Sequence, residues 1–353
     1  MGIIDRYIWR RYLTRLLAGL AAFIGVYLLV DMFGHLSDFA RAGWSFDQTL
    51  RYMMLITPSA ALLVLPTACL VATASLLGAM WQSNELPAVL GAGRSWARAV
   101  VPMLVVAGLV SLAAAALSEW AVPPTLKEAT RMRAAADNGA EDEAAAGPVL
   151  LALTDGTIFH VGELEDSEGR AGDVIIWQAG RSGETYIWAK QAAFEDGAWT
   201  LYSGVLRRSG EGAVRREPFD VRRTDITVPP KELRAGGTPP SAMSFSELRR
   251  YISSIPGNPP PEMAVELYLK SALPFASLVL AIVGCALALR RPARGELAAF
   301  GSSLAVALVY FLFLAGAKEM WRTAIPPLAL AWAPNVLFAA VGLFALRRTS
   351  GLN

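Results

Sequence analysis

The chain has 353 residues, 54% of them hydrophobic and 18% charged, with a formal net charge of +2. An ordinary soluble domain is about 25% charged, so the shortfall argues against a free cytosolic enzyme, and the small net charge excludes the basic field that a nucleic-acid partner needs. Its two cysteines, Cys69 and Cys285, lie in apolar runs, which excludes a disulfide framework and a cysteine zinc site.

The charge is unevenly placed. Residues 119–265 hold 22 acidic and 16 basic residues, a net of −6, while the flanks together carry +8. The expected organisation is an N-terminal membrane half over 1–118, a polar domain over 119–265 and a C-terminal membrane half over 266–353. A transmembrane helix needs about 20 apolar residues. In the first half, runs at about 16–36, 52–81 and 99–118 qualify. The first ends in Asp31, His35 and Asp38 rather than a small-residue cleavage site, so it reads as a retained span and not a signal peptide. The second holds 30 residues without a charge, with Pro58 and Pro66 inside it.

Between the second and third spans lies Gln82–Ser95. Asn84 or Ser83 is placed to cap a short helix at about 84–91, Glu85 suits its first turn, and Leu86, Val89 and Leu90 form an exposed apolar face before the glycines. Such a helix either docks into a groove on a soluble partner or lies along the membrane surface.

The middle domain reads as short strands: Val149–Leu153 and Thr157–Val161 around an Asp155-Gly156 turn, then Val174–Trp177, Thr185–Phe194, Trp199–Leu206 and Phe219–Val228, with turns at Arg181-Ser-Gly183 and Glu195-Asp-Gly197. This pattern suggests a small sandwich, a jelly roll or a half-open barrel. Thr125–Ala136 before it looks helical, Glu141–Ala146 reads as a linker, and Ser244-Phe-Ser-Glu247 has the form of a capping box. Pro256 to Pro261 returns the chain to the membrane. Three further spans follow at about 271–289, 297–317 and 323–346.

Loop charges orient the chain. With the N-terminus in the cytoplasm, Arg6, Arg10, Arg11, Arg15, Arg94, Arg98, Arg290, Arg291, Arg294, Arg347 and Arg348 are cytoplasmic, and only Arg41, Arg51, Lys318 and Arg322 occupy the short outer loops. Both termini are then cytoplasmic and the middle domain is outside. The four outer bases are placed either to meet anionic headgroups or to anchor the spans at the interface.

Chemistry is sparse. There is no Walker A sequence, Gly-x-Ser-x-Gly, His-Glu-x-x-His or Cys-x-x-Cys, and the only histidines are His35 and His160. His160, on a strand, reads as a surface or edge residue. No catalytic residues, cofactor or metal site are expected.

The 82–95 loop carries a family signal. Asn84-Glu85-Leu86 followed by Gly91-Ala92-Gly93 resembles the Ser-Glu-Leu…Ala-(Ala/Ser)-Gly motif of the lipopolysaccharide-export permeases, the LptF/LptG (YjgP/YjgQ) family. Ile4-Asp5-Arg6-Tyr7-Ile8 is similar to that family's opening and more like the LptG type. Glu119-Trp120-Ala121-Val122-Pro123, Leu273-Pro274-Phe275-Ala276 and Pro334-Asn335 resemble its later motifs, in the same order and spacing. Pro87 departs from the pattern, as do Asp31, His35 and Asp38, where many relatives place lysines.

The resemblance implies a fold: a helical membrane protein with six transmembrane helices, three and three, and an all-β, jelly-roll-like periplasmic domain inserted between the third and fourth. It implies a permease subunit of an ABC transporter in the bacterial inner membrane, extracting lipopolysaccharide and passing it on. The partners it implies are an LptB-type cytoplasmic ATPase dimer, an LptF-type chain as heterodimer partner, an LptC-type single-span protein and an LptA-type periplasmic bridge. ATPase coupling would fall to Glu85, Leu86, Val89, Leu90 and Gly93. Lipid headgroups would meet Arg41, Arg51, Lys318 and Arg322, and acyl chains would pass Ile176, Ile187, Phe194 and Leu201. The alternatives are a permease for another lipid or lipoprotein, or a non-transporting membrane scaffold.

Overall fold

The computed structural model describes all residues except 1–2, 94, 138–148, 153–156, 165–168, 181–182, 211–212, 231–239, 255–260, 291–294, 321–324 and 351–353. The Glu141–Ala146 linker, the Asp155-Gly156 turn, Arg181 and Ser182 of the next turn, and the Pro256–Pro260 return lie outside the described residues. The chain forms two compact units. One comprises Met1–Phe33, Ile56–Val122 and Pro260–Asn353; the other comprises Gly34–Leu55 and Pro123–Pro259.

The first unit is helical. Its elements are α1 (Ile3–Gly34), most of α3 (Phe46–Gln82), the short α4 (Glu85–Gly91), α5 (Trp96–Ala116), α8 (Pro261–Arg290), α9 (Gly295–Glu319) and α10 (Pro327–Ser350). Among the described residues, six helical stretches are long and apolar enough to cross a membrane, beginning at Ile4, Phe46, Arg98, Met263, Ala298 and Pro327. The third runs from α5 through a π-helical turn, Leu117–Ala121, into α6 (Val122–Asp137).

The helices α3 and α8 form the centre of this unit. They approach so closely that a Cβ on Gly284 would sit 2.9 Å from the Leu70 carbonyl oxygen. Small residues at a helix crossing allow such contact, which is how apolar helices gain packing where lipid offers no hydrophobic drive. One buried hydrogen-bond chain joins three helices: Tyr310 Oη donates to Asn335 Oδ1 (2.9 Å), and Asn335 Nδ2 donates to the Ala272 carbonyl (2.8 Å). The Pro334-Asn335 motif therefore pins α10 to α8 and α9.

The second unit contains α2 (Leu36–Arg41), the start of α3, α6, α7 (Phe245–Ser254) and a six-stranded antiparallel sheet. Its strands are β1 (Val149–Ala152), β2 (Ile158–Leu164), β3 (Arg170–Gly180), β4 (Gly183–Glu195), β5 (Ala198–Gly210) and β6 (Ala213–Arg223). Their spatial order is their sequence order, so the sheet is an up-and-down meander; among the described pairings there is no crossover of the kind a jelly roll uses.

The sheet is creased along one line. Pairing is continuous on either side of Gly162, Asp173, Lys190, Ser203 and Asp220, but these five, opposite one another across β2–β6, leave the ladder without any shift of register. Asp173 and Ser203 have positive φ, 47° and 52°. The inward positions change phase there: Phe159 and Val161 give way to Leu164, Ala171 to Val174 and Ile176, Ile187 and Ala189 to Ala192 and Phe194, Trp199 and Leu201 to Leu206. All of these join one apolar cluster. A left-handed residue in a strand turns the chain sharply, so both limbs of the sheet keep an apolar face toward a common core.

The expected strand Phe219–Val228 is corrected. Strand β6 ends at Arg223: Thr224 still bonds its in-register neighbour Trp199, but the Trp199 N–H skips to Ile226 and breaks the ladder. Thr224 N–H and Oγ1 both donate to the Trp199 carbonyl (2.8 Å each), Trp199 N–H donates to the Ile226 carbonyl, and its Nε1 donates to the Val228 carbonyl (2.9 Å). The β4–β5 turn at Asp196-Gly197 has φ of 48° and 76°, as a tight hairpin requires. The capping box is present. Ser244 N–H donates to Glu247 Oε2 and Glu247 N–H to Ser244 Oγ, both at 3.0 Å, while Lys127 Nζ of α6 pairs with the same carboxylate at 2.7 Å. The Lys127 hydrogen bond, followed by the Ser244 backbone, holds the Glu247 carboxyl below its ordinary value.

Candidate functional site

The site of greatest interest is the α4 loop. A seven-residue helix is too short to stand alone in water, so its side chains must anchor it. Asn84 precedes it with φ 56° and makes no side-chain cap, and Ser83 Oγ instead donates back to the Ala79 carbonyl (3.0 Å); the expected cap is therefore absent. Leu86 is 0% exposed and belongs to the same cluster as Ile8, Tyr12, Met80, Ala99 and Met103. The expected exposure of Leu86 is thus corrected: it is the anchor of α4. Val89 and Leu90 are half-buried, Leu90 packing against that cluster, and Ala88, Gly91 and Ala92 face outward. Gly93 ends the motif at φ 82°, a conformation that suits a residue without Cβ.

Glu85 is held by its own chain. Arg11 Nη1 donates to Oε2 at 2.7 Å and Oε1 at 3.0 Å, and Tyr7 Oη lies 3.3 Å from both oxygens. Arg11 also donates to Tyr7 Oη (2.6 Å), with its guanidinium 5.1 Å over the Tyr7 ring. The Arg11 and Glu85 side chains are each 32% exposed, so the pair is partly shielded while one side of the carboxylate still faces water. Arg11 entered the sequence reading only as a topology charge. Nothing in local spacing links residues 74 positions apart.

Of the bases assigned to headgroups, the side chains of Arg41 and Arg51 are described. Arg41 is exposed at the end of α2, in a turn set by the stacked rings of Phe39 and Trp44 (4.7 Å) and by Tyr52. Arg51 pairs with Glu128 at 3.2 Å. Arg322 and the side chain of Lys318 lie outside the described residues. The acyl-path residues do converge: Ile176, Ile187 and Leu201 are buried, and Phe194 is half-buried, all in the core of the creased sheet. That interior is filled by Trp199, with Phe159 and Phe194 packed against it at ring distances of 5.4 and 5.6 Å. An apolar cleft of about 490 Å³ between α9 and α10, lined by Leu312, Phe313, Ala317, Met320, Leu330 and Pro334, has no forerunner in the sequence reading.

His160 is also corrected. It is 3% exposed and not a surface residue, its Nδ1 has no hydrogen-bond partner among the described residues, and burial lowers its pKa to about 4 against the opposing pull of Asp173.

The family model described as lipopolysaccharide export system permease LptF/LptG matches residues 6–348. The chain belongs to the LptF/LptG family. The match runs through both membrane halves and the sheet, so this LptF/LptG chain is a multi-pass membrane protein of a lipopolysaccharide-export permease family, carrying a β domain between its third and fourth membrane helices. The family description spans LptF-type and LptG-type chains alike. Among curated proteins none matches the chain.

Proposed function

We propose that this chain is the permease subunit of an ABC transporter that extracts lipopolysaccharide from the bacterial inner membrane, with ATP hydrolysed on a partner. Withdrawing acyl chains costs on the order of 0.8 kcal/mol per exposed CH₂, so a multi-chain lipid needs an external energy source and a physical link to it. The family match carries this reading. The link is α4, whose outward face would meet an LptB-type ATPase dimer. An LptF-type chain would complete the permease, and LptC-type and LptA-type proteins would receive the lipid.

In this proposal residues 1–118 and 266–353 are the membrane halves and 119–265 the periplasmic domain, with both termini cytoplasmic. The contact between Arg11 and Glu85 supports it by setting the start of α1 and the α4 loop at one end of the helical unit. Ile176, Ile187, Phe194 and Leu201 would line the acyl path, the aromatic trio around Trp199 yielding as a chain enters. Arg41, Arg51, Lys318 and Arg322 would meet headgroup phosphates by charge-assisted hydrogen bonds.

The test is co-purification. Glu85→Ala and Glu85→Lys are expressed with the cognate ATPase and partner chain, and retained ATPase, bound lipid and lipid release are measured. Glu85→Lys should lower release by about tenfold or more, equivalent to about 1.4 kcal/mol of coupling, and Glu85→Ala by less. Full ATPase retention and transport in Glu85→Lys would remove α4 from the coupling site. Bound lipid of another class would favour a different cargo.

A further inference from the structure

We propose that Arg11, steadied by Tyr7, is a positioning residue that fastens α4 to the start of α1, so that displacement of α4 is delivered to the first membrane span. This inference rests on the coupling role proposed above for α4.

Three features support it. First, α4 is set off from its neighbours by sharp turns: it is entered by a left-handed Asn84 without a side-chain cap, whose N–H donates to the Trp81 carbonyl (3.1 Å), and left through a left-handed Gly93. Force applied to it leaves through side chains as well as through this turn. Second, two side-chain grips lead to the same segment. Leu86 enters the apolar cluster that contains Ile8 and Tyr12, and Glu85 takes both oxygens to Arg11 with Tyr7 alongside. Tyr7 and Arg11 are one helical turn apart and share a face of α1, so the phenol and the guanidinium present donors to one carboxylate. Third, α1 is held most tightly at this end, with Leu20 and Phe23 packing partly against the same cluster. Its buried residues are Ile8, Tyr12 and Leu16, and from Leu17 to Gly34 no described residue is buried. A helix gripped most tightly at one end follows that grip when it moves, and the Arg11–Glu85 pair sits there.

The test uses the full complex and, separately, the purified permease without its ATPase. In a Cys69→Ala/Cys285→Ala background, Leu90→Cys reports how often the half-buried face of α4 opens to a maleimide. Arg11→Glu should raise that labelling rate by about threefold or more. In the complex it should keep the ATPase bound yet lower lipid released per ATP by about fivefold or more. The swap Arg11→Glu/Glu85→Arg should return labelling to within about twofold of the parent, because the pair is restored with its polarity reversed. Unchanged labelling in Arg11→Glu, faster labelling with undiminished release, or a swap that labels as fast as Glu85→Arg alone would each overturn the proposal. Failure of the coupling role itself is read elsewhere, in the Glu85→Lys co-purification, since the labelling is done without the ATPase.

Discussion

His160 shows how a single side chain departs from its local reading. Its neighbours Phe159 and Val161 fill the core, so on a simple strand His160 would face water; it is buried instead, with its Nδ1 unpartnered among the described residues. The folded pKa of about 4 lies below the unfolded value of about 6.5. Between these values the unfolded chain binds a proton that the folded chain refuses. Stability of the β domain is therefore unaffected above pH 6.5 and declines as pH falls from 6.5 toward 4, by about 3 kcal/mol at the limit. Hydrogen exchange of β2 and β3, corrected for intrinsic rates, should show protection lost across that window in the parent and retained in His160→Leu. Equal acid sensitivity in both would assign the loss to another group. Leu86 departs in the same direction: a residue read as exposed lies in the core, because the tertiary contact with α1 recruits the apolar side of α4.

At the scale of the element, the creased sheet explains why a simple alternation count understates the strands. A period-2 pattern assumes one phase, and β2–β5 each carry two, separated at Gly162, Asp173, Lys190 and Ser203. The apolar residues were legible, and so was the Asp196-Gly197 turn, but the phase change depends on left-handed backbone at Asp173 and Ser203 in mid-strand, where pairing resumes in register and no chain reversal marks a turn. Gly204, beside the crease, has no room for a side chain: a Cβ would lie 2.3 Å from the Trp188 carbonyl and 2.4 Å from the Phe219 ring. Gly204→Val should destabilise the domain by about 3 kcal/mol, at the upper end of overpacking costs. Faster hydrogen exchange confined to β4–β6 would register it, and unchanged exchange would show that both the Trp188 backbone and the Phe219 ring give way.

For the whole molecule, the charge asymmetry makes the orientation testable. A cysteine at Gly210, in the β domain, should react with an impermeant thiol reagent in intact spheroplasts, and one at Gly295, at the start of α9, should not; both should react after permeabilisation. The native thiols offer little background, since Cys69 and Cys285 are buried. The reverse pattern would invert the proposed topology and move α4 away from any cytoplasmic ATPase.

Six apolar runs, the acidic middle segment and its strand-rich composition were determined by the sequence itself, because membrane insertion and strand formation respond to hydrophobicity summed over neighbouring residues. The Ser244–Glu247 capping box was equally legible, being a contact between residues three apart. Only the tertiary structure decided that Arg11 would meet Glu85, that Leu86 would be an anchor, and that Asn335 would bridge to Tyr310 and Ala272. The hydrogen-bonded pairs among these join residues 25 to 74 positions apart. Their energies depend on partners that no local window contains, and they form only when the helices pack.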